Sequence, residues 1–258
     1  MSRLLETLPD RSEEADSQGG TVGVIAGSVE FTGQPVLTGL AALRTGSDHV
    51  RAFTPEKIYP IVASHSPNLL VGQYPGEGFT EAAVDQAIEL GQWADALVVG
   101  PGLTRSDGSA VCETLTEVDG PMVIDAVAIE PALGNDLSNA VFTPDDSEME
   151  SIVDEHGSLE EFSESTGAVV VATGDEDTIV AEGERTTNET GTPALAVAGT
   201  GDTLAGIVAS LLSQGLSRED AAELGAWLVG KAGELATIDH GNGLVATDVI
   251  DRIPDTVR

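Results

Sequence analysis

From Thr21 onward, short apolar runs alternate with longer segments whose apolar positions recur every three to four residues. The short runs at 21–26, 49–53, 68–71, 96–99, 122–124, 140–142, 168–171 and 178–181 predict strands. The longer segments at 35–45, 81–93, 109–117, 147–155 and 159–165 predict helices, and beyond Gly199 the pattern is almost wholly helical: 203–214, 218–237 and a short turn near 247–252. Most early strands are apolar throughout rather than alternating, as expected where helices cover both faces of a parallel sheet. The later pair around Gly174, with a turn rich in Gly, Asp and Glu, reads as antiparallel. The predicted fold is α/β: a three-layer sandwich whose central sheet is mostly parallel. Residues 1–19 read as a polar arm leading to the first strand, and 20–258 as a single domain without repeats or linkers.

Composition sharpens this picture. At 41% hydrophobic residues the chain can build a sizeable core, which excludes global disorder. Eleven Lys and Arg stand against 44 Asp and Glu, a formal net charge of -33, so no basic groove for nucleic acid can form. Aromatic residues are only 3%, too few for a base-stacking surface of the kind single-strand binders use. The acidic balance runs along the whole chain and predicts a solvated surface adapted to high salt, hence an extreme halophile. Cys112 is alone, which rules out an intramolecular disulfide and suits a reducing compartment. No signal peptide and no membrane-length apolar stretch is visible, and a cytoplasmic location is expected.

The densest chemistry lies at Gly199-Thr200-Gly201-Asp202, which runs straight into the apolar segment Thr203–Leu212. A small-residue turn opening an apolar helix presents unpaired N–H groups at the positive end of the helix dipole, a ready anion site. Asp202 has two readings there: a base that takes a proton from a hydroxyl attacking a phosphoryl group, or a first-turn cap. Three predicted strand ends add loops: Gly27-Ser28, Gly100-Pro101-Gly102 and Asp125. Ligands of open α/β sheets bind beyond the carboxyl ends of strands, so the three loops are expected to share one crevice. Each also has a plain structural reading, as turn glycines or, for Asp125, as a helix cap.

At this point the residues resemble a known family. The run Ala198-Gly199-Thr200-Gly201-Asp202-Thr203-Leu204-Ala205-Gly206-Ile207, followed by Leu211-Leu212-Ser213-Gln214-Gly215, is similar to the C-terminal signature of the ADP-dependent NAD(P)H-hydrate dehydratases of the ribokinase-like superfamily. Gly27-Ser28 with Phe31-Thr32-Gly33 resembles that family's first glycine loop, and Ala41–Gly46 its first helix end. Val99-Gly100-Pro101-Gly102 resembles its central turn, and Val123-Ile124-Asp125-Ala126 its next strand end. The likeness covers roughly residues 20–254.

The resemblance implies repair of hydrated NADH and NADPH. A nucleotide, ADP or else ATP, phosphorylates the ring hydroxyl, phosphate then leaves, and Mg²⁺ assists. Asp202 would be the base and Gly199, Thr200 and Gly201 the anion hole. Thr173, Gly174 and Asp175 would meet the nucleotide, while Gly27, Ser28, Gly33, Gly102, Asp125 and Asp145 would meet the substrate. Glu148 would support the metal through water. A homo-oligomer is also within what the family implies.

The chain departs from the family pattern at three places. Thr143-Pro144-Asp145-Asp146-Ser147-Glu148 stands where the family reads Thr-Pro-His-Pro-Gly-Glu, so a substrate-contacting histidine is Asp145. Thr173-Gly174 replaces a Lys-Gly pair, and Val127 an acidic residue. Two other functions stay open on these grounds: an ATP-dependent kinase of a small alcohol, such as a sugar or vitamin precursor, and a non-catalytic nucleotide-binding protein. The four histidines have no metal-ligand spacing, and Cys112, Trp93 and Trp227 read as core residues.

Overall fold

The computed structural model describes residues 1–9, 19–104, 106–174 and 176–257. Its centre is one nine-stranded sheet in the order β3-β2-β1-β4-β5-β6-β7-β8-β9. The strands are β1 (Thr21–Ile25), β2 (His49–Pro55), β3 (Leu70–Tyr74), β4 (Ala96–Val99), β5 (Met122–Ile124), β6 (Ala140–Phe142), β7 (Val169–Ala172), β8 (Asp177–Ala181) and β9 (Glu184–Asn188). All pairings from β3 across to β7 are parallel; β8 and β9 close the edge as an antiparallel hairpin. That hairpin turns through Glu182 and Gly183, both at positive φ (51° and 77°), the two-residue geometry whose twist matches the flanking strands.

The helices are α1 (Ser2–Leu5), α2 (Gln34–Thr45), α3 (Tyr59–His65), α4 (Glu81–Trp93), α5 (Gly108–Glu117), α6 (Ile129–Ala132), α7 (Asp146–His156), α8 (Leu159–Thr166), α9 (Thr200–Ser213), α10 (Arg218–His240) and α11 (Ala246–Thr256). Successive strand residues point to opposite faces, and here both faces are apolar. Val22, Val24, Val98, Val123, Val141 and Val169 face a core built from α2, α9, α10 and α11. Ile25, Leu97, Val99, Ile124, Phe142 and Val170 face a second core under α4 to α8. Burying one such side chain contributes about 1.5–3 kcal/mol, and a parallel strand contributes it on both faces. Leu4, Leu5 and Leu8 from the N-terminal segment pack against the first core. Among the described residues no helix is long and apolar enough to cross a membrane.

Several elements differ from the sequence expectation. β3 is displaced two residues toward the C-terminus, α3 and the short α6 were not anticipated, and α11 is an eleven-residue helix rather than a short turn. α9 begins at Thr200, three residues earlier than the apolar pattern suggested, because Gly199 at φ 97° turns the chain directly into the helix. Cys112 is half-buried with its thiol directed at Asn135 Oδ1 (3.3 Å), not sealed in a core. Trp93 and Trp227 are likewise half-buried, and the Arg51 guanidinium lies 4.3 Å from the Trp93 ring centroid.

Candidate active site

Strand order reverses between β1 and β4: the chain moves outward from β1 to β3, then returns to the other side of β1 and proceeds to β7. The loops leaving β1 and β4 therefore part in opposite directions, the position where an open α/β sheet leaves a crevice. The loop ends are joined by backbone bonds. Gly27 N donates to Pro101 O (2.8 Å), Gly100 N to Ile25 O (3.1 Å), Asp125 N to Val99 O (3.0 Å) and Thr173 N to Pro144 O (3.1 Å). Gly27, Ser28, Gly102, Asp125, Thr143 and Thr173 thus lie along one crest, as the sequence suggested for the first three loops.

Gly100 makes this crest possible. It sits at φ 128°, and a Cβ there would lie 1.7 Å from Asp125 O. The next residue after Asp125, Ala126, adopts φ 52°, a left-handed conformation that costs a non-glycine residue about 1–3 kcal/mol and tends to persist at sites. Asp125 is buried, and its carboxylate Oδ1 accepts from Thr143 Oγ1 at 2.8 Å. It does not cap the following helical turn.

Gly199 is the N-cap of α9, and no side chain caps the helix. Gly199 is required by the fold: its φ is 97°, and a Cβ would meet Leu37 Cδ1 at 2.6 Å and Ala246 Cβ at 2.9 Å. Gly201 is not, because a Cβ there would meet nothing within 4 Å. A glycine in a first helical turn, with open space above it and no side-chain cap beside it, leaves room for a ligand to reach the backbone.

Asp202 follows in the same turn. Among the described residues nothing donates a hydrogen bond to its carboxylate, so the capping alternative finds no bond here. Burial pushes its pKa up to about 6. Asp125 is raised to about 8, first by burial and then by the charges of Asp202 and Glu148, against the lowering effect of the Thr143 hydrogen bond. Glu148 is also raised, chiefly by burial, with the charges of Asp145 and Asp202 adding to it. These mutual effects put Asp125, Glu148 and Asp202 in one electrostatic neighbourhood, a concentration of negative charge that an added cation would relieve.

Asp145 is exposed and caps α7. Its Oδ1 accepts from Ser147 N and Glu148 N, both at 2.9 Å, while Glu148 Oε2 accepts from Asp145 N at 2.9 Å: a reciprocal capping box on α7. Ser28 is fully buried, and its hydroxyl accepts from Phe31 N (3.2 Å). Gly33 is the N-cap of α2, with open space above it. Thr173 and Gly174 line a groove of about 510 Å³ together with Met149, Val153, Leu159 and Arg185, the last paired to Glu160 at 2.7 Å. Asp175 lies outside the described residues. Thr143 was not singled out from the sequence; a threonine just after a short strand carries no local signal of its partner eighteen residues upstream.

A family model described as NAD(P)H-hydrate dehydratase matches residues 22–255. A protein of Haloterrigena turkmenica named ADP-dependent (S)-NAD(P)H-hydrate dehydratase is 61% identical over 258 residues, covering 100% of both chains. The salt-adapted habitat read from the acidic balance fits that source. Among solved structures, a ribokinase-like superfamily protein from Enterococcus faecalis superposes with TM-score 0.84 at 23% identity, covering 100% of this chain and 94% of that one, a likeness of fold. An ADP/ATP-dependent NAD(P)H-hydrate dehydratase from Bacillus subtilis, co-crystallised with ATP/Mg²⁺, superposes with TM-score 0.81 at 27% identity, covering 98% and 95%. With the model spanning nearly the whole chain and the identity running end to end, this protein belongs to the NAD(P)H-hydrate dehydratase family and has its ribokinase-like fold.

Proposed function

We infer that the protein is an ADP-dependent lyase that repairs hydrated NADH and NADPH, with Asp202 as its base. The observation carrying this reading is the Asp202 carboxylate itself, desolvated and, among the described residues, without a hydrogen-bond donor, beside a helix N-terminus that no side chain caps. Asp202 takes the proton of the ring hydroxyl, whose oxygen attacks the terminal phosphorus of ADP. A new P–O bond forms as the bond to AMP breaks. Phosphate then departs with the C–O electron pair, and loss of a proton from the adjacent carbon restores the ring double bond. The Gly199–Gly201 amides stabilise charge on the transferring phosphoryl group, and the space above Gly201 lets its oxygens approach.

Among the described residues no group of three His, Cys, Asp or Glu could hold a metal alone. That fits Mg²⁺ carried mostly by phosphate and water. One oxygen of Glu148 is engaged with Asp145 N, and the other can take a metal-bound water. When bound, the ion neutralises phosphate charge. Asp125, Gly27, Ser28, Gly33 and Gly102 form the substrate side of the crevice in this reading, and Asp145 acts on the substrate only through the loop that it caps. A single catalytic domain over 20–258, cytoplasmic residence and homo-oligomerisation belong to the same reading; light scattering decides the last.

The direct test is incubation of hydrated NADH with ADP and Mg²⁺ in molar salt, followed by the return of the reduced-nicotinamide absorbance. A protein stabilised against heat by nucleotide, yet converting no hydrate, would instead be a kinase of another alcohol or a nucleotide sensor.

Two variants test the nucleotide side. Gly201→Ala should leave the fold intact and raise helix stability by roughly 0.5–1 kcal/mol. The new methyl occupies the approach to the amides, so ADP binding should weaken at least about tenfold, a loss of about 1.4 kcal/mol. Unchanged calorimetric affinity would remove the turn from the phosphate site. Thr173→Lys should add a cation beside the phosphates and tighten ADP up to about fivefold at modest salt, the worth of a partly exposed charge contact of about 0.2–1 kcal/mol. The gain should shrink in molar salt, where screening acts within about 3 Å. Thr187→Lys, on the exposed edge strand β9, is the control, and equal gains from both lysines would mean that only net charge matters.

A further inference from the structure

Apolar side chains stand exposed on loops beside the crevice, in a chain whose net charge is -33. Among the described residues nine large apolar side chains are exposed, and four of them, Val29, Phe31, Val127 and Val245, stand in the loops after β1 and β5 and just before α11. Val29 and Phe31 stand in the loop after β1, and Val127 in the turn after Asp125. Val245 immediately precedes Ala246, whose Cβ lies 2.9 Å from the place of a Cβ on Gly199. Scattered single apolar residues are ordinary, so the weight falls on the one whose surroundings are fixed.

Phe31 stands out among the four. It is the one strongly exposed aromatic ring among the described residues, at 45%. Its backbone is nevertheless held firmly. Phe31 N donates to Ser28 O (3.1 Å) and Ser28 Oγ (3.2 Å), and Phe31 O accepts from Ser28 N (3.1 Å). The whole turn is tied to the β4 loop through Gly27 N and Pro101 O. Phe31 Cβ lies 3.0 Å from the position of a Cβ on Gly102, so the ring rises beside a loop that has no side chain there. An exposed ring on a fixed backbone loses little entropy when another ring stacks on it.

Electrostatics favours the same kind of contact. A chain of net charge -33 is a poor partner for an anionic dinucleotide, and in molar salt a charge contact is screened within about 3 Å. Stacking and apolar burial are not screened. Asp125 is buried and Asp202 half-buried, whereas Phe31 is exposed, so the reacting ring goes inward to the carboxylates and the far end of the dinucleotide reaches outward. That far end is the adenine, flat and aromatic, whereas the hydrated nicotinamide ring is puckered.

We propose that Phe31 is the platform on which the adenine ring of the hydrated dinucleotide stacks, making it a specificity residue for dinucleotide over mononucleotide substrates. The proposal rests on the dehydratase reading. The experiment compares parent, Phe31→Ala and Phe31→Trp on two substrates, hydrated NADH and the hydrate of reduced nicotinamide mononucleotide, which lacks the adenosine. In Phe31→Ala, KM for the dinucleotide hydrate rises about tenfold, the worth of one base–aromatic stack, while kcat, KM for ADP and KM for the mononucleotide stay within about twofold. Phe31→Trp restores the dinucleotide KM, and its added indole fluorescence is quenched on titration with unreactive NADH. An unchanged dinucleotide KM in Phe31→Ala overturns the platform, as does an equal rise for both substrates or a rise in KM for ADP. A parent that converts neither hydrate overturns the dehydratase reading itself, which keeps the two failures distinct.

Discussion

Asp202→Asn will bind ADP at least as well as the parent and turn over hydrated NADH about 10²–10⁴-fold more slowly, the usual loss when general-base help is removed. The amide keeps the shape of the side chain but cannot accept a proton. Binding survives because the anion site is made of backbone amides, and removing a carboxylate beside phosphates relieves repulsion. In the parent, the rate should rise with pH through about 6 as Asp202 ionises.

Stability should move the opposite way. A carboxyl whose pKa is raised in the folded chain holds its proton more tightly there than when unfolded, so it favours folding below its ordinary pKa. That contribution is lost as pH rises through about 6, above which the half-buried charge opposes folding by at most about 3 kcal/mol. The Asn variant should therefore be the more stable protein well above pH 6 and equal to the parent at low pH. Denaturation of both proteins at the two ends of this range, beside turnover, checks the prediction. An Asn variant with near-normal turnover would leave Asp202 without a catalytic role.

Gly100→Ala should cost more than about 4 kcal/mol and in practice deny a folded protein, since a Cβ 1.7 Å from Asp125 O, at φ 128°, forces the exit of β5 away from β4. No flexible side chain is available to yield; the obstacle is backbone. Gly134→Ala is the control: nothing lies within 4 Å of its Cβ, and it should stay within about 0.5 kcal/mol of the parent. Denaturation midpoints decide between them. A stable Gly100→Ala protein would mean that the crest uniting the β1, β4 and β5 loops is built differently.

Strands buried on both faces, such as Ala96–Val99 and Met122–Ile124, were legible because nothing but a run of apolar residues can be desolvated on two sides. Helices whose apolar stripes match 3.6 residues per turn, such as Glu81–Trp93, were legible for the same reason. β9 escaped because Glu184–Thr187 are exposed on the sheet edge, where polar and charged residues are tolerated and discourage further pairing. α3 escaped because it buries only Val62, against Val36 and Ile58, leaving too little periodicity to detect.

The small-residue turn at Gly199–Asp202 and the glycines after β1 and β4 were visible from local chemistry alone, since a turn and a helix start are decided within a few residues. What those residues do to one another was not visible, because it depends on groups far apart in the chain. The pairing of Asp125 with Thr143 requires β5 and β6 to lie side by side. The raised pKa of Asp202 requires desolvation that neighbouring elements supply. The capping bonds of Asp145 to Ser147 and Glu148 and the different space above Gly199 and Gly201 are likewise properties of the folded chain. Hydrophobic period and turn chemistry are short-range and written into neighbouring residues; burial, charge coupling and open space are sums over the whole packed fold, and only the packed fold carries them.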